Sequence, residues 1–465
     1  MRAAVYLALL VATALAAGAG AAPAAAAPCG ALRPGPSDGP YYRTVAPFEH
    51  DNSARTQVFP ATCPVTSAHV SARQAQTDFT TPYIAVTRNR DQLYVYGYGA
   101  DAATQGGYVA GVDPRTLRQR WRTQIPDPSP PGQWSYPGVM LAHGNGFLYA
   151  VYGNILVKLD PDTGAVLHRR VLPEDPGGTG AAYNGMIVLP DGNLALKKIE
   201  RGPCTSTASP LSGLQCALAN QLPSLLVIVE PDRLHVTAEQ DLGQTVLGRI
   251  TYGGGDIYIA GQSTLSRYRY AHGRVRLDRS WGPVTYRTGA QTPGTGTGLL
   301  GDWVVVQTNF LPSGAPLTVT AVGTKDDHRV FRTEPFPGQS MSWVVSKAAL
   351  DVANRTVVTH DTDAGQMSAL DLDPRHGFRT RWRRPLSSLD FSALIGDPAH
   401  RQVVIPDRRD TGESVVWLDE RNGREVARSP TLSDVPAPAN IVTPGFDRRF
   451  FYVSARGALW ELRAR

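Results

Sequence analysis

The sequence predicts an all-β chain folded as a single β-propeller of four-stranded antiparallel sheets. Three observations point there. Short runs of Val, Ile, Leu and Tyr alternate with turn residues throughout a chain of 465 residues that has 46 Gly, 37 Pro and only 5 Met, a pattern of many brief strands rather than helices. One unit recurs: an apolar strand, a second with Tyr or Val alternation, an Asp-Pro-x-Thr-Gly-like turn, and a polar strand ending in Trp or a replacement for it. The copies are evenly spaced, Asp113 to Asp160 and Asp326 to Asp373 each spanning 47 residues and Asp373 to Asp419 spanning 46.

Residues 1–27 read as a secretory signal peptide. Arg2 supplies the positive start, Val5 to Ala17 is apolar but too short to span a bilayer, and Gly18 to Ala27 offers small-x-small cleavage sites. No Arg-Arg pair precedes the apolar run, which points to the general secretory route. Cys29 lies close enough to the cut to raise a lipid anchor as an alternative; Pro28 stands against it, occupying a place where a small residue is expected. No later stretch has the ~18 consecutive apolar residues of a membrane span. The mature chain is expected to be a soluble, extracellular monomer.

Residues 28–83 form an N-terminal arm and residues 84–465 the propeller. All four cysteines survive cleavage, an even number suited to an oxidising compartment. Cys204 and Cys216 flank a Ser/Thr/Gly/Pro-rich insertion at 202–222 and are expected to close it, leaving Cys29 and Cys63 to tether the arm. Four cysteines allow three pairings, and this is the local one. No pair has the spacing of a zinc site.

Innermost strands are expected to start near Ile84, Val139, Met186, Ile250, Leu299, Val344, Ala393 and Ile441. That makes eight blades, or seven if one weak copy is not a blade. In the turn the Asp accepts backbone hydrogen bonds, Pro presets φ and Gly takes a positive φ. The Trp that follows packs against the neighbouring sheet. Copies lead from Asp113 to Trp121, from Asp160 to His168 and from Asp373 to Trp382. The last blade lacks its outer strand, and the stretch Tyr41 to Val45 is expected to supply it and close the ring, which would remove two open sheet edges.

The pattern Val-x-Leu-Asp-Pro-x-Thr-Gly-x-x-x-Trp resembles the repeat of the pyrroloquinoline-quinone (quinoprotein) dehydrogenase-like propellers, over nearly all of Ile84 to Arg465. The resemblance implies eight blades, in a superfamily holding both quinone-dependent dehydrogenases and cofactor-free binding or assembly proteins. The dehydrogenases are expected to carry Trp docking in most blades, a calcium ion on carboxylate and amide ligands, and often a vicinal Cys-Cys pair. This chain has no adjacent cysteines and degraded Trp docking, so a cofactor-free member is expected. CxxCH, HExxH, Walker loops and serine-hydrolase elbows do not occur. Calcium has only weak footholds, at Asp160-Pro161-Asp162 and His360-Asp361-Thr362-Asp363; neither has the ligand spacing of a calcium loop, and both read rather as Asp-stabilised hairpin turns. The formal charge of +6 is spread along the chain with no basic run, so nucleic acid has no footprint.

Propellers place function on the loops that lead into the innermost strands. Tyr136, Tyr183, Asn184, Arg249, Trp343 and Asn440 sit there and are the expected ligand-binding residues, with Tyr183 and Arg249 the catalytic candidates. Tyr136 and Tyr183 occupy equivalent points of neighbouring blades and either face one funnel or pack the seams. Arg249 would hold an anionic group. Lys197 and Lys198 follow the apolar run Leu194 to Leu196, so at least one is expected to leave the core, and Glu200 is expected to form an ion pair with either lysine. Two functions follow: an exported propeller that binds a small ligand, polymer or partner protein at its funnel, or an extracellular lyase, cyclase or transferase that uses those Tyr, Asn and Arg side chains.

Overall fold

In the computed structural model the chain forms eight β-sheet blades around one axis. The structure describes residues 30–76, 79, 81–99, 106–126, 136–174, 181–204, 210–432, 440–454 and 457–464. The expected signal peptide and Cys29 lie outside them; Cys63 is in a disulfide. No helix among the described residues is long and apolar enough to cross a membrane.

The innermost strands are Pro82–Asn89, Val139–Ala142, Ala181–Val188, Thr251–Gly253, Thr297–Leu300, Ala349–Asp351, Ala393–Ile395 and Thr443–Pro444. Each begins a blade, numbered 1 to 8 in that order, and three further strands run outward by antiparallel pairing. The expected starts fall in or beside these strands except Val344, which precedes its strand by five residues. The amide of Val344 instead donates to the Asn309 carbonyl of blade 5, so its apolar run is spent on the seam between blades.

The repeated turn performs as its residues dictate. In blade 2 the Asp160 Oδ1 accepts the amides of Asp162 and Thr163 at 3.0 and 2.8 Å. In blade 6 Asp373 accepts those of Arg375 and His376 at 2.7 and 2.8 Å. Trp382 then lies beneath the turn of blade 7, where a Cβ on Gly423 would come within 2.7 Å of the indole. Its indole N–H donates to the Glu420 carbonyl at 2.7 Å. Trp121 sits in the same way under Gly164, and Trp281 donates to the Gly323 carbonyl of blade 5 at 3.0 Å. The Trp382 and Trp281 contacts each bury a large ring and satisfy its N–H in one step.

Ring closure corrects the expectation for Tyr41 to Val45. The outer strand of blade 8 is Val70–Gln76, paired antiparallel with Ala458–Ala464, and Arg73 Nε donates to Glu461 at 2.9 Å across the pair. Pro40 and Pro47 bracket the earlier stretch and cannot donate to a ladder. It makes only isolated bridges, Tyr41 to His143 and Arg43 to Gly35.

From there the arm enters the channel and follows the ring. The carbonyls of Ala46 and Pro47 accept the amides of Thr87 in blade 1 and Ala142 in blade 2. Those of Ser53, Ala54, Thr56 and Gln57 accept Tyr252, Leu299, Leu350 and Leu394 in blades 4 to 7. Ser53 Oγ donates to the Val188 carbonyl of blade 3. Val58–Phe59 completes the circuit as a short parallel strand on blade 7. An arm with no strand periodicity is thus held by the otherwise unpaired inner edges of seven blades.

The opposite end is covered by the insertion in blade 3. The helix Pro210–Ala219 follows its second strand, and Cys204–Cys216 closes the loop as expected. Leu211, Leu214 and Leu218 join one apolar cluster with Tyr136, Leu247, Phe310, Val345 and Leu389, residues from loops leading into several innermost strands. The channel is therefore filled by the arm and roofed by a disulfide-fastened helix.

Candidate functional site

Within the channel, three of the expected site residues come together. Arg249 is buried, and its Nε and Nη2 donate to Glu49 of the arm at 2.8 and 3.2 Å. Nη2 also donates to the Tyr83 hydroxyl at 2.6 Å, and the guanidinium lies over the Phe391 ring. Tyr136 lies in the field of Arg249, with the Asn184 amide hydrogen-bonded to its hydroxyl. Burial pushes the Glu49 carboxyl up, but Arg249, His50 and Arg55 outweigh it and hold Glu49 well below the carboxylate range. Burial alone would lower Arg249, and Glu49 reverses that.

The other cations of the channel are also engaged. Arg55 Nη1 donates to Glu49 at 3.1 Å and Nη2 to the Gly185 carbonyl at 2.8 Å. Lys197 donates to the carbonyls of Val246 and Leu247 at 2.7 and 2.9 Å, and Lys347 to those of Arg55 and Ala348. Burial pushes both lysines well below their usual range, and Arg55 and Arg249 push them further. Of the two lysines that could pair with Glu200, Lys198 does so at 2.9 Å, and both stay buried, against the expectation that one would leave the core.

The remaining expected residues lie elsewhere. The Tyr183 hydroxyl donates to the Pro173 carbonyl at 2.7 Å, which turns it into the seam between blades 2 and 3 and away from Tyr136. Asn440 and Trp343 mark a different place, on the same face of the ring but off its axis. An open cleft of about 790 Å³ lies there between blades 6 and 7.

Local sequence builds the cleft. One wall is the hairpin after the second strand of blade 6, where Asp361 accepts the amides of Trp343, Asp363 and Ala364. Those bonds use the Asp361 oxygens as turn acceptors, as the hairpin reading of this stretch expects. Trp343 is fixed by its indole N–H, which donates to the Phe310 carbonyl at 3.1 Å. The other wall is the blade 7 hairpin, with Arg408, Arg409 and Asp410 exposed at its tip. Arg409 is paired with Asp407 at 3.0 Å, whereas Arg408 forms no ion pair among the described residues.

Glu413 lines the cleft and is only 1% exposed. Its Oε2 accepts the Tyr452 hydroxyl from blade 8, and its Oε1 has no hydrogen-bond partner among the described residues. Burial raises the carboxyl to about 7 against the opposing pull of Tyr452 and Arg408. Asp390 is fully buried beside it and is pushed well above the usual range, first by burial and then by Glu413. The Asn440 amide N–H donates to Asp390 Oδ1 at 2.7 Å, so that expected residue supports the floor of the cleft. Two neighbouring carboxyls, one tyrosine and a fixed indole thus meet at one open seam.

No family model matches the sequence, and no curated protein matches it. Solved structures do resemble it. The quinohemoprotein alcohol dehydrogenase of Comamonas testosteroni superposes over 90% of this chain and 80% of its own, at TM-score 0.60 and 8% identity. A europium-containing methanol dehydrogenase covers 92% of this chain and 98% of its own, at 0.58 and 9%. It shares the fold of the quinoprotein dehydrogenases. The Dos1 propeller is also similar, over 86% of this chain and 95% of its own, at TM-score 0.53 and 10% identity.

At these identities the likeness is one of fold, and function has to be argued from the site. A pyrroloquinoline quinone is a flat tricarboxylate that needs a slot and uncommitted cations. In this channel Glu49, His50 and Arg55 of the arm occupy the interior, and Arg249, Lys197 and Lys347 are each bound to internal acceptors. No group of three or more His, Cys, Asp or Glu among the described residues could hold a metal ion. The channel residues do not fit a quinone with its divalent cation.

The sequence alone missed Glu49, Tyr83, Asp390 and Glu413. Glu413 follows Arg408-Arg409-Asp410-Thr411-Gly412 and reads as the foot of an exposed hairpin. Its burial comes from Tyr452 and Asp390, which the ring brings in from other parts of the sequence.

Proposed function

We propose that this is an exported binding propeller that recognises an uncharged sugar polymer in the cleft between blades 6 and 7. The observation that carries the reading is Trp343, an indole locked by its own hydrogen bond and standing in an open cleft among Asp363, Arg408, Arg409 and Asp410. A rigid aromatic face packs on the C–H face of a sugar ring, while carboxylates and guanidinium groups exchange hydrogen bonds with its hydroxyls. An open cleft accepts a chain from either end. The residues of residues 1–27 and the oxidised cysteines support export.

Titration with soluble oligosaccharides of chitin and cellulose, followed by tryptophan fluorescence and calorimetry, tests the proposal. Binding that is lost in Trp343→Ala while the fold is kept is the expected result. If neither sugar binds, or Trp343→Ala binds as wild type does, the reading fails.

A second reading places a small anionic ligand, or a substrate, on the axis at Tyr136, Asn184 and Arg249. Their convergence favours it. It requires the Pro210–Ala219 helix to move aside and Glu49 to release Arg249, and Arg249→Ala would then abolish binding.

A further inference from the structure

Glu413 is the one buried acid among the residues lining the open cleft, and its buried Oε1 has no hydrogen-bond partner among the described residues. A buried polar atom without a partner costs free energy that a bound ligand recovers. We infer that Glu413 is the polar anchor of the cleft, meeting the ligand as a neutral carboxyl that donates from Oε1 to a hydroxyl, ether or carbonyl oxygen of an uncharged sugar. The inference rests on the sugar-binding reading above and adds to it the chemistry of selection.

The surroundings set both the direction and the selectivity of this hydrogen bond. The Tyr452 hydroxyl, which hydrogen-bonds both Glu413 Oε2 and Asp390, occupies Oε2 and leaves Oε1 as the oxygen to meet a ligand. Asp390 beneath is itself pushed well above its usual range by burial and by Glu413, so the two carboxyls do not both ionise readily. Asp407 behind the hairpin acts in the same sense, while Arg408 opposes it; Arg409 and Arg428 are both paired to Asp407. Asp363 and Asp410 stand at the exposed rim on opposite walls. Those two carboxylates offset the Arg408 and Arg409 guanidinium groups at the same rim, so the cleft offers an acidic sugar no net attraction.

The same geometry couples binding to pH. Once Glu413 loses its proton, Oε1 has nothing to donate and the site presents an acceptor instead. With the carboxyl titrating near 7, affinity for a ligand held through that donor falls about tenfold between pH 6 and pH 8. Glu413→Gln keeps the shape and a donor amide but has no proton to lose.

The experiment is calorimetric titration of the full mature chain with N-acetylchitotetraose, cellotetraose and tetragalacturonate at pH 6, 7 and 8. Expected are binding of a neutral tetraose that weakens about tenfold over that range, a Glu413→Gln variant that binds with a flat pH profile, a Glu413→Ala variant that binds at least tenfold more weakly at pH 6, and no tetragalacturonate binding. Far-ultraviolet circular dichroism confirms the fold of each variant, and Glu413→Gln alone decides if Glu413→Ala does not fold. Wild-type affinity for a neutral tetraose that is constant or rises towards pH 8, or preferred binding of tetragalacturonate, overturns the inference while leaving binding in place. Absence of binding by every probe overturns the sugar-binding reading and the inference with it.

Discussion

Arg249 of blade 4 and Glu49 of the N-terminal arm, 200 residues apart in sequence, form a two-bond ion pair at 2.8 and 3.2 Å inside the channel. The carboxylate also accepts Arg55 at 3.1 Å. One acidic side chain thus serves two buried guanidinium groups, and removing it leaves both uncompensated. Glu49→Gln is expected to lower unfolding stability by about 3–5 kcal/mol. Pairing Glu49→Leu with Arg249→Met should cost less than the single change, because a buried pair exchanged for apolar residues is often close to neutral. Urea denaturation of the two variants measures the difference. A Glu49→Gln protein as stable as wild type would show that this pair does not hold the arm.

The arm makes a second prediction, at the level of single amides. Thr87, Ala142, Tyr252, Leu299, Leu350 and Leu394 each donate a backbone N–H to an arm carbonyl. These are inner-edge amides that an empty channel would leave to water. Native-state hydrogen exchange should find them protected in the mature chain, with protection close to that of global unfolding. In the Glu49→Gln variant they should exchange faster as a set, ahead of amides in the middle strands of the blades. Unchanged protection at all six would mean that the arm is held without its charge.

These two features also mark where the sequence stops being legible. The blades could be read because each turn solves a local problem with local residues: Asp373 accepts amides two and three positions later, and Trp382 needs only a gap such as Gly423 provides one blade on. The Cys204–Cys216 clasp was likewise readable from its short interval. The plug was not, because residues Glu49 to Gln57 are polar, carry no period, and take their shape from the inner edges of blades far away in sequence. Val70–Gln76 hid for a related reason, since Val-Ser-Ala-Arg-Gln-Ala-Gln has almost no alternation and is a strand only because blade 8 lacks one. For the expected site residues, position before an innermost strand singled out one face of the ring. It could not tell Arg249, consumed by Glu49, from Trp343, which lines an open cleft.

Stability should depend on pH through the carboxyls of the cleft. Glu413 titrates near 7 when folded, raised by burial from an ordinary value of 4.5. Between those values the folded chain keeps a proton that the unfolded chain has lost, so this contribution is fully present below about pH 4.5 and is lost as pH rises through 7. The shift corresponds to at most about 3 kcal/mol. Glu49 acts in the opposite sense, with a lowered value whose contribution is present above about 4.5 and fades only in stronger acid. Melting temperature should therefore fall from pH 5 to pH 8, and Glu413→Gln should flatten that slope. A slope that persists unchanged in Glu413→Gln would assign it to other groups.

The blade-to-blade docking can be isolated by comparing two glycines. Gly423 and Gly301 both have positive φ, 70° and 60°, so alanine at either carries a similar backbone penalty of about 1 kcal/mol. They differ in what lies beside them. A Cβ at Gly301 meets nothing within 4 Å, whereas one at Gly423 comes within 2.7 Å of the Trp382 indole. That indole is anchored to the Glu420 carbonyl, so it cannot retreat without breaking a buried hydrogen bond. Gly301→Ala should lower stability by about 1 kcal/mol, and Gly423→Ala by about 1–3 kcal/mol more. Trp382→Phe, which loses the N–H and shortens the ring, should relieve much of the extra cost of Gly423→Ala when the two are combined, a coupling that a double-mutant cycle reads directly. Equal destabilisation by the two alanines would mean that the Trp under the turn does not fasten blade 6 to blade 7.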